Sequence, residues 1–241
     1  MIDRNIIRYG FGSKEFPEFT CPKCHKGQLA PESVPNEHYP QFSKDIQKEE
    51  WADSDHIELQ LALVLECANP KCGQRSIAYA KGGVQPSYGL DGETEWFETF
   101  KLKQIFPAPF IIDLPSNLPF EIELELEKSF NVFWVDKGLC ANAIRNAIEL
   151  MLDHFGFPKE VDGKWISLGN RLIAYSKSAP DHADFLKLLK PIINAGSHGD
   201  AVETGVLLDI YEAMEIFLDK VFSQRTARFE ELKKLIKEKS Q

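Results

Sequence analysis

The first half of the chain alternates apolar and polar residues at a period of two, which is typical of β-strands with one buried face. Residues 58–66 (ELQLALVLE), 75–80 (RSIAYA) and 96–106 (WFETFKLKQIF) each show this alternation. Gly82-Gly83 indicates a turn between the second and third of these segments. The pattern therefore predicts a β-rich amino-terminal domain over residues 1–106.

The second half of the chain changes to a helical period. Prolines at positions 107, 109, 115 and 119 predict an extended linker over residues 107–119. Beyond it, Ile122, Leu126 and Phe130 recur every four residues and predict a first helix. Further helices are predicted over residues 139–155, 166–175 and 181–194, and a fifth runs from an N-cap at Asp200 to residue 221. We therefore predict an all-helical domain over residues 120–241, and an α+β fold for the whole chain.

Composition narrows the class of protein. With 43% hydrophobic residues and 17 Phe, the chain has enough apolar side chains for a packed core. No apolar run approaches the ~18–20 residues that span a bilayer, and the amino terminus shows no signal peptide, so we expect a cytoplasmic protein without membrane contact. The net charge of −9 is spread evenly along the chain. We therefore expect no bulk binding of nucleic acid, and any such contact would have to be local.

Four of the five cysteines form two short pairs, Cys21-Pro-Lys-Cys24 and Cys67-Ala-Asn-Pro-Lys-Cys72. Two thiolates close together on a tight turn supply one edge of the tetrahedron that Zn²⁺ prefers. The spacing therefore predicts a Zn²⁺ site with Cys21, Cys24, Cys67 and Cys72 as its ligands. Free thiols or a redox pair are the alternatives, but no βαβ pattern surrounds the first pair. Cys140 lies on an apolar helical face and is predicted to be a buried small hydrophobe, not a ligand.

The strands that flank the second pair predict a zinc ribbon, in which one strand enters the turn and another leaves it. Residues 31–55, rich in polar residues and proline, are predicted to be an insertion in this ribbon. His25 could replace one thiolate, although a neighbouring surface histidine is the simpler interpretation. Because four protein ligands leave no open coordination position, the site is predicted to be structural and not catalytic.

Two polar segments in the helical half are candidates for chemistry. In one, Arg145 and Glu149 stand four residues apart on the same face of a helix. The other, NAGSHGD, contains Asn194, Ser197 and His198, and the imidazole of His198 titrates near neutral pH. Together these groups could hold a phosphodiester while His198 acts as general acid or base. The alternative is an intrahelical ion pair and an interhelical turn with a hydrogen-bonded histidine. No cofactor-binding residues are predicted beyond the metal ligands.

Residues 112–222 resemble the domain of unknown function 4145 family. The resemblance rests on the segments IIDLPSNLP, CANAIRNAIELMLDHFGF, ISLGNRLIAY and LLKPIINAGSHGD. It implies a helical bundle similar to the HEPN class, which occurs in bacterial defence and toxin proteins. Many members of that class are metal-independent ribonucleases, often dimeric, that use an arginine followed by a histidine after four to six residues.

The resemblance matches the family's site residues only in part. Asn194, Ser197 and His198 match the family's motif, and Arg145 and Glu149 match its arginine and glutamate in the earlier helix. The predicted fourth helix carries no arginine ahead of His198, and its nearest cation is Lys190. Isoleucine stands at position 193, where the family has glycine. These departures put ribonuclease activity in doubt.

Two functions therefore compete, and whether the chain is an enzyme stays open. The first is a zinc-ribbon and helical-bundle interaction protein in bacterial defence, including antiviral defence, or in a toxin–antitoxin pair. Its partner would be a protein or RNA, and the family resemblance implies a homodimer. The alternative is a metal-independent HEPN-like endoribonuclease in which Arg145 acts with His198. A DNA-directed role through the ribbon is a third hypothesis.

Overall fold

The computed structural model describes residues 4–12, 15–33, 37–88, 94–182, 185, 202–223, 232–233 and 235–236. The chain divides into two compact units. The first, here the sheet unit, comprises residues 1–111 and 130–136, and the second, here the helical unit, comprises residues 112–129 and 137–241.

The sheet unit is built on a seven-stranded antiparallel sheet. Its strands are β1 (Phe11–Gly12), β2 (Phe19–Thr20), β3 (Gln28–Pro31), β4 (Glu37–His38), β5 (Glu58–Cys67), β6 (Arg75–Tyr88) and β7 (Thr94–Phe106). The spatial order is β1-β7-β6-β5-β3-β2, and β4 also pairs with β5. Two short helices, α1 (Arg4–Tyr9) and α2 (Gln41–Ile46), and a 3-10 turn (Ser54–His56) belong to the same unit.

The alternation in the sequence decides which face of the sheet is buried. Along β5 every second residue, Leu59, Leu61, Leu63 and Leu65, is buried, while the residues between them are more exposed. The same face receives Phe100 and Ile105 from β7, which are fully or almost fully buried. These apolar side chains form the core that fixes the register of the three long strands.

The alternation along β7 is interrupted where two polar residues, Lys103 and Gln104, follow each other. There the pairing shifts by one residue, because Leu102 lies opposite Ala80 and Gln104 lies opposite Tyr79. Lys103 is therefore the extra residue of a β-bulge. The bulge keeps the apolar residues on both sides of it on the buried face despite the broken period.

The helical unit contains four helices of more than ten residues in its described part. They are α3 (Phe120–Phe133), whose last turn clusters with the sheet unit, α4 (Lys137–His154), α5 (Leu168–Ser178) and α6 (Thr204–Phe222). A two-stranded hairpin, β8 (Glu160–Val161) with β9 (Lys164–Trp165), lies between α4 and α5, and a 3-10 turn (Pro180–His182) follows α5. None of the helices in the described part of the chain combines the length and apolarity needed to cross a bilayer.

The helical period is confirmed for α3, because Ile122, Leu126 and Phe130 are all buried. The same holds for α4, where Ile144 and Ile148 lie in the core. Residues 183–194 of the predicted fourth helix lie outside the described residues, apart from Phe185, and so does the predicted N-cap Asp200. The last long helix begins later than predicted, at Thr204 after Glu203.

The predicted α+β class holds, but its finer description, a zinc ribbon followed by an all-α HEPN-like bundle, is wrong. The amino-terminal part is a large sheet whose core is made by long strands, not a small ribbon organised by a metal. Gly82 and Gly83 do not turn the chain, since β6 continues through them to Tyr88. The helical unit is not all-α, because the hairpin of β8 and β9 interrupts its helices.

Candidate metal centre

Two turns at one end of the sheet bring four cysteines together. Cys21 directly follows β2, and Cys24 lies in the turn that leads to β3. Cys67 is the last residue of β5, and Cys72 lies in the turn before β6. Strand β3 pairs with both β2 and β5, and Leu29 of β3 lies opposite Cys67. The sheet itself therefore holds the two turns side by side.

Backbone hydrogen bonds close the first turn. The amide of Cys21 donates to the carbonyl of Gly27 (2.8 Å), and the amide of His25 donates to the carbonyl of Cys21 (3.1 Å). His25 has a φ of 54°, a left-handed conformation that reverses the chain directly after Cys24.

The second turn repeats this construction. The amide of Cys67 donates to the carbonyl of Gln74 (2.9 Å), and the amide of Cys72 donates to the carbonyl of Asn69 (2.9 Å). Gly73 follows Cys72 with a φ of 62°, as His25 follows Cys24. Glycine adopts this conformation without steric cost.

The separations between the sulfur atoms are those of a metal site. The Sγ atoms of Cys21 and Cys72 are 3.7 Å apart, and those of Cys24 and Cys67 are 3.6 Å apart. All four lie within 4.8 Å of one another. A disulfide would need about 2.05 Å. A tetrahedron with metal–sulfur bonds of about 2.3 Å has edges of about 3.8 Å. The four thiols therefore fit a tetrahedral metal ion and do not form disulfides.

Hydrogen-bond donors lie beside two of the four sulfurs. The amide of Lys23 donates to the sulfur of Cys21 (3.4 Å), and the amide of Gly27 donates to that of Cys24 (3.4 Å). The side-chain amide of Asn69 lies 3.6 Å from the sulfur of Cys24. Such donors orient the ligands and spread the negative charge of a metal-bound thiolate.

Gly27 is needed because the two turns approach each other closely. A Cβ atom on Gly27 would collide with the sulfur of Cys67 and lie 2.8 Å from the Cβ of Asn69. Sequence reasoning did not identify Asn69, although a signal existed. Asn69-Pro-Lys-Cys72 repeats Cys21-Pro-Lys-Cys24, with asparagine in the place of the first cysteine.

The thiols differ in acidity. Hydrogen bonds from the backbone amides of Gly27 and Lys26 lower the pKa of the Cys24 thiol to about 6. Burial raises the pKa of the Cys67 thiol to about 12. A metal ion that binds all four sulfurs therefore has to displace the proton of Cys67, and its affinity falls as the pH is lowered.

His25, the alternative ligand, and Cys140, which is predicted not to be a ligand, both lie outside this cluster of sulfurs. The ring of His25 makes an edge contact with Phe110, with centroids 4.5 Å apart. Cys140 is fully buried in the helical unit, and its sulfur lies 3.1 Å from the hydroxyl of Tyr211. In the described ranges, the only cluster of three or more potential metal ligands is that of the four cysteines.

Arg145 and Glu149 form the ion pair that their spacing predicts, with 3.3 Å between Nε and Oε1. Glu149 also lies 3.8 Å from Arg171, and Arg171 contacts Asp153 at 2.7 Å. The guanidinium of Arg171 donates to the carbonyls of Glu149 (2.9 Å) and Phe157 (2.7 Å). Arg171 is only 2% exposed and ties α5 to the end of α4. Sequence reasoning missed it, although it stands inside the segment ISLGNRLIAY.

Asn194, Ser197 and His198 lie outside the described residues. The catalytic role predicted for them together with Arg145 and Glu149 therefore stays a prediction. The described part of that set, Arg145 with Glu149, belongs to the ion-pair network around Arg171.

Two family models match the chain. Residues 9–110 match the family described as Domain of unknown function (DUF8608), and residues 127–239 match the family described as Domain of unknown function (DUF4145). The second match confirms the resemblance to the domain of unknown function 4145 family over those residues. No curated protein and no solved structure matches the chain.

Proposed function

We propose that this chain is a binding protein, not an enzyme, and that a structural Zn²⁺ ion bound by the four cysteines stabilises its sheet unit. The observation that carries the metal assignment is the pair of sulfur separations, 3.7 Å and 3.6 Å, around a closed set of thiols. Four thiolates in a tetrahedron favour Zn²⁺ or a single iron over hard cations. Zn²⁺ is redox-inert, which suits a structural role.

A structural role follows from the ligand set. All four positions of a tetrahedral ion would be filled by Cys21, Cys24, Cys67 and Cys72, so no position is left for water or substrate. The ion would instead connect the turn after β2 to the turn between β5 and β6. Metal analysis of the purified protein should give one zinc per chain. One iron per chain, or no metal in protein purified without chelators, would contradict the assignment.

A binding function is supported by an apolar row on the exposed face of the sheet. Val64, Ile77 and Phe106 are cross-strand neighbours on β5, β6 and β7. They are 40%, 67% and 63% exposed, respectively. Large apolar side chains placed together on a surface are typical of protein-binding sites.

We propose a second copy of the chain as the occupant of this row. In a two-fold dimer the same patch of each copy contacts the other. An apolar row can pack against itself in this way, whereas a patch of one charge would repel itself. The ion pairs of Arg75 with Glu32 (2.8 Å) and Glu66 (3.2 Å) lie beside the row and provide a polar rim.

Light scattering at micromolar concentration tests the dimer. The wild-type protein should have the mass of a dimer, and Ile77→Lys should give a monomer because a charge would be buried in the interface. Ile173→Lys is the matched control, since Ile173 is 55% exposed in the helical unit and should leave the mass unchanged. A monomeric wild type, or a dimeric Ile77→Lys variant, would exclude this interface.

The ribonuclease hypothesis remains the competing function, and the setting in bacterial defence or in a toxin–antitoxin pair remains a prediction from the family resemblance. A binding protein should not cleave RNA. RNA cleavage by the purified protein that disappears in the His198→Ala variant would replace our proposal with the ribonuclease.

A further inference from the structure

The exposed face of the sheet also carries a groove of about 590 Å³. It lies where α2 and the 3-10 turn of residues 54–56 approach the middle of β6 and β7. Its walls include Phe42, His56, Lys81, Gly83, Lys101 and Lys103. Small-molecule sites in proteins have volumes of about 300–1,000 Å³, so the groove has the size of a ligand site.

Two features of the backbone shape the groove. Gly83 lies opposite Glu58 on β5 and Thr99 on β7, and its lack of a side chain leaves the floor open. A Cβ atom there would lie 3.2 Å from the carbonyl of Ile57. Lys101 and Lys103 stand two positions apart on β7 and therefore on the same face of the sheet, and both line the groove.

The groove carries positive charge that is not neutralised. Lys81 lies directly opposite Lys101, and like charges in this position repel each other. Glu58 neutralises Lys81 through an ion pair of 3.0 Å. Within the described ranges, no ion pair is formed by Lys101 or Lys103, and both are exposed. An anion in the groove would therefore contact two ammonium groups that form no ion pair with the described residues, although the net charge of the chain is −9.

Other groups on the walls are suited to contact the base and the sugar of a nucleotide, whose phosphates would lie at the lysines. The Nδ1 atom of His56 accepts a hydrogen bond from the amide of Asp53 (3.1 Å), so the neutral ring carries its proton on Nε2 as a donor. Phe42 is 65% exposed and offers an aromatic face on which a base can stack. The carboxylate of Asp55 is a hydrogen-bond acceptor for sugar hydroxyls.

We propose that this groove binds a nucleotide, with Lys101 and Lys103 holding its phosphates and Phe42 stacking on its base. The acidic charge of the whole chain disfavours long nucleic acids, while a small ligand experiences mainly the local field of the groove. The site is distinct from the metal centre and does not depend on the proposed dimer.

Calorimetric titration of the zinc-loaded protein with ATP tests this inference. We expect saturable binding that Lys101→Gln/Lys103→Gln weakens at least tenfold and that rising salt weakens further. Lys177→Gln, an exposed lysine in the last turn of α5, is the control and should leave the affinity unchanged. Wild-type protein that does not bind ATP, or equal affinity in the wild type and the double variant, would overturn the proposal.

Two further variants separate the parts of the ligand. Gly83→Val keeps every charge but fills the floor of the groove, and it should weaken ATP binding at least tenfold. Phe42→Ala should weaken binding of ATP but not of pyrophosphate, which has no base to stack. Pyrophosphate that binds as tightly as ATP, or a single-stranded oligonucleotide that binds much more tightly, would overturn the assignment to a nucleotide. Retained zinc content and circular dichroism show that each variant is folded.

Discussion

At the scale of single residues, the role of a cysteine in this chain depends on what surrounds its sulfur. The sulfur of Cys24 faces three other thiols, two backbone amides and the side chain of Asn69. Cys140 is fully buried, and its sulfur lies beside the hydroxyl of Tyr211. The first environment favours a metal-bound thiolate, whereas the second places the sulfur in no cluster of potential metal ligands among the described residues.

Serine substitutions distinguish these two environments. Cys24→Ser should lower zinc affinity by more than about 100-fold, because a hydroxyl is a poor ligand for Zn²⁺ and the remaining thiols fill only three positions. Competition with a chromophoric chelator measures this affinity. Cys140→Ser should keep one zinc per chain. Equal zinc affinity in the two variants would show that the four cysteines are not the ligands.

Arg171 and Arg145 show that the contribution of an ion pair to the free energy of unfolding depends on burial. The side chain of Arg171 is 1% exposed and makes charged contacts with Asp153 and Glu149, so Arg171→Ala leaves carboxylate and carbonyl groups without their donor. We expect the free energy of unfolding to fall by about 3 kcal/mol. Arg145 is 29% exposed, and Arg145→Ala should cost about 0.5 kcal/mol. Urea denaturation followed by helical circular dichroism gives both values, and similar losses would refute the structural role of Arg171.

At the scale of elements, the glycines of β6 show why the predicted turn is absent. Gly82 lies opposite Phe100, and a Cβ atom on it would collide with the carbonyl of Thr99 and lie 2.6 Å from the ring of Phe100. The glycine is thus there to admit a core aromatic ring, not to reverse the chain. A glycine pair in a single sequence does not distinguish these two uses.

Alanine substitutions measure this packing. Gly82→Ala should lower the free energy of unfolding by about 1–3 kcal/mol, because the carbonyl of Thr99 and the ring of Phe100 both have to move. Gly83→Ala is the matched control on the same strand, and its Cβ atom would meet only the carbonyl of Ile57, at 3.2 Å. Its loss should be smaller, and denaturation of the two variants under one condition compares them. A larger loss for Gly83→Ala would contradict the packing described for Phe100.

The sequence predicts those helices and strands that bury one face, because their apolar residues then recur at a regular period. The alternation over residues 58–66 and the four-residue spacing from Ile122 to Phe130 lead directly to β5 and α3. The two cysteine pairs likewise predict the metal centre, because their spacing is a local property. The extent of the sheet is different. It depends on pairing between distant strands and on the bulge at Lys103, neither of which a short window of sequence contains.

At the scale of the whole molecule, the chain has two compact units, and all four cysteines of the metal centre belong to the sheet unit. A metal ion there would connect β2, β3, β5 and the start of β6, and none of its four cysteine ligands belongs to the helical unit. A metal ion that binds the folded sheet unit stabilises that unit. Removal of the metal should therefore destabilise the sheet unit first.

Metal removal followed by hydrogen exchange tests this expectation. After treatment with a strong chelator at mildly acidic pH, which favours the protonated thiols, amides of β5 and β6 should lose protection. Amides of α4 and α6 should remain protected, because their cores are built from the side chains of the helices themselves. Zinc added back at neutral pH should restore the protection of β5 and β6. Simultaneous loss of protection in α4 and α6 would show that the two units unfold as one, and unchanged exchange in β5 and β6 would show that the metal is not structural.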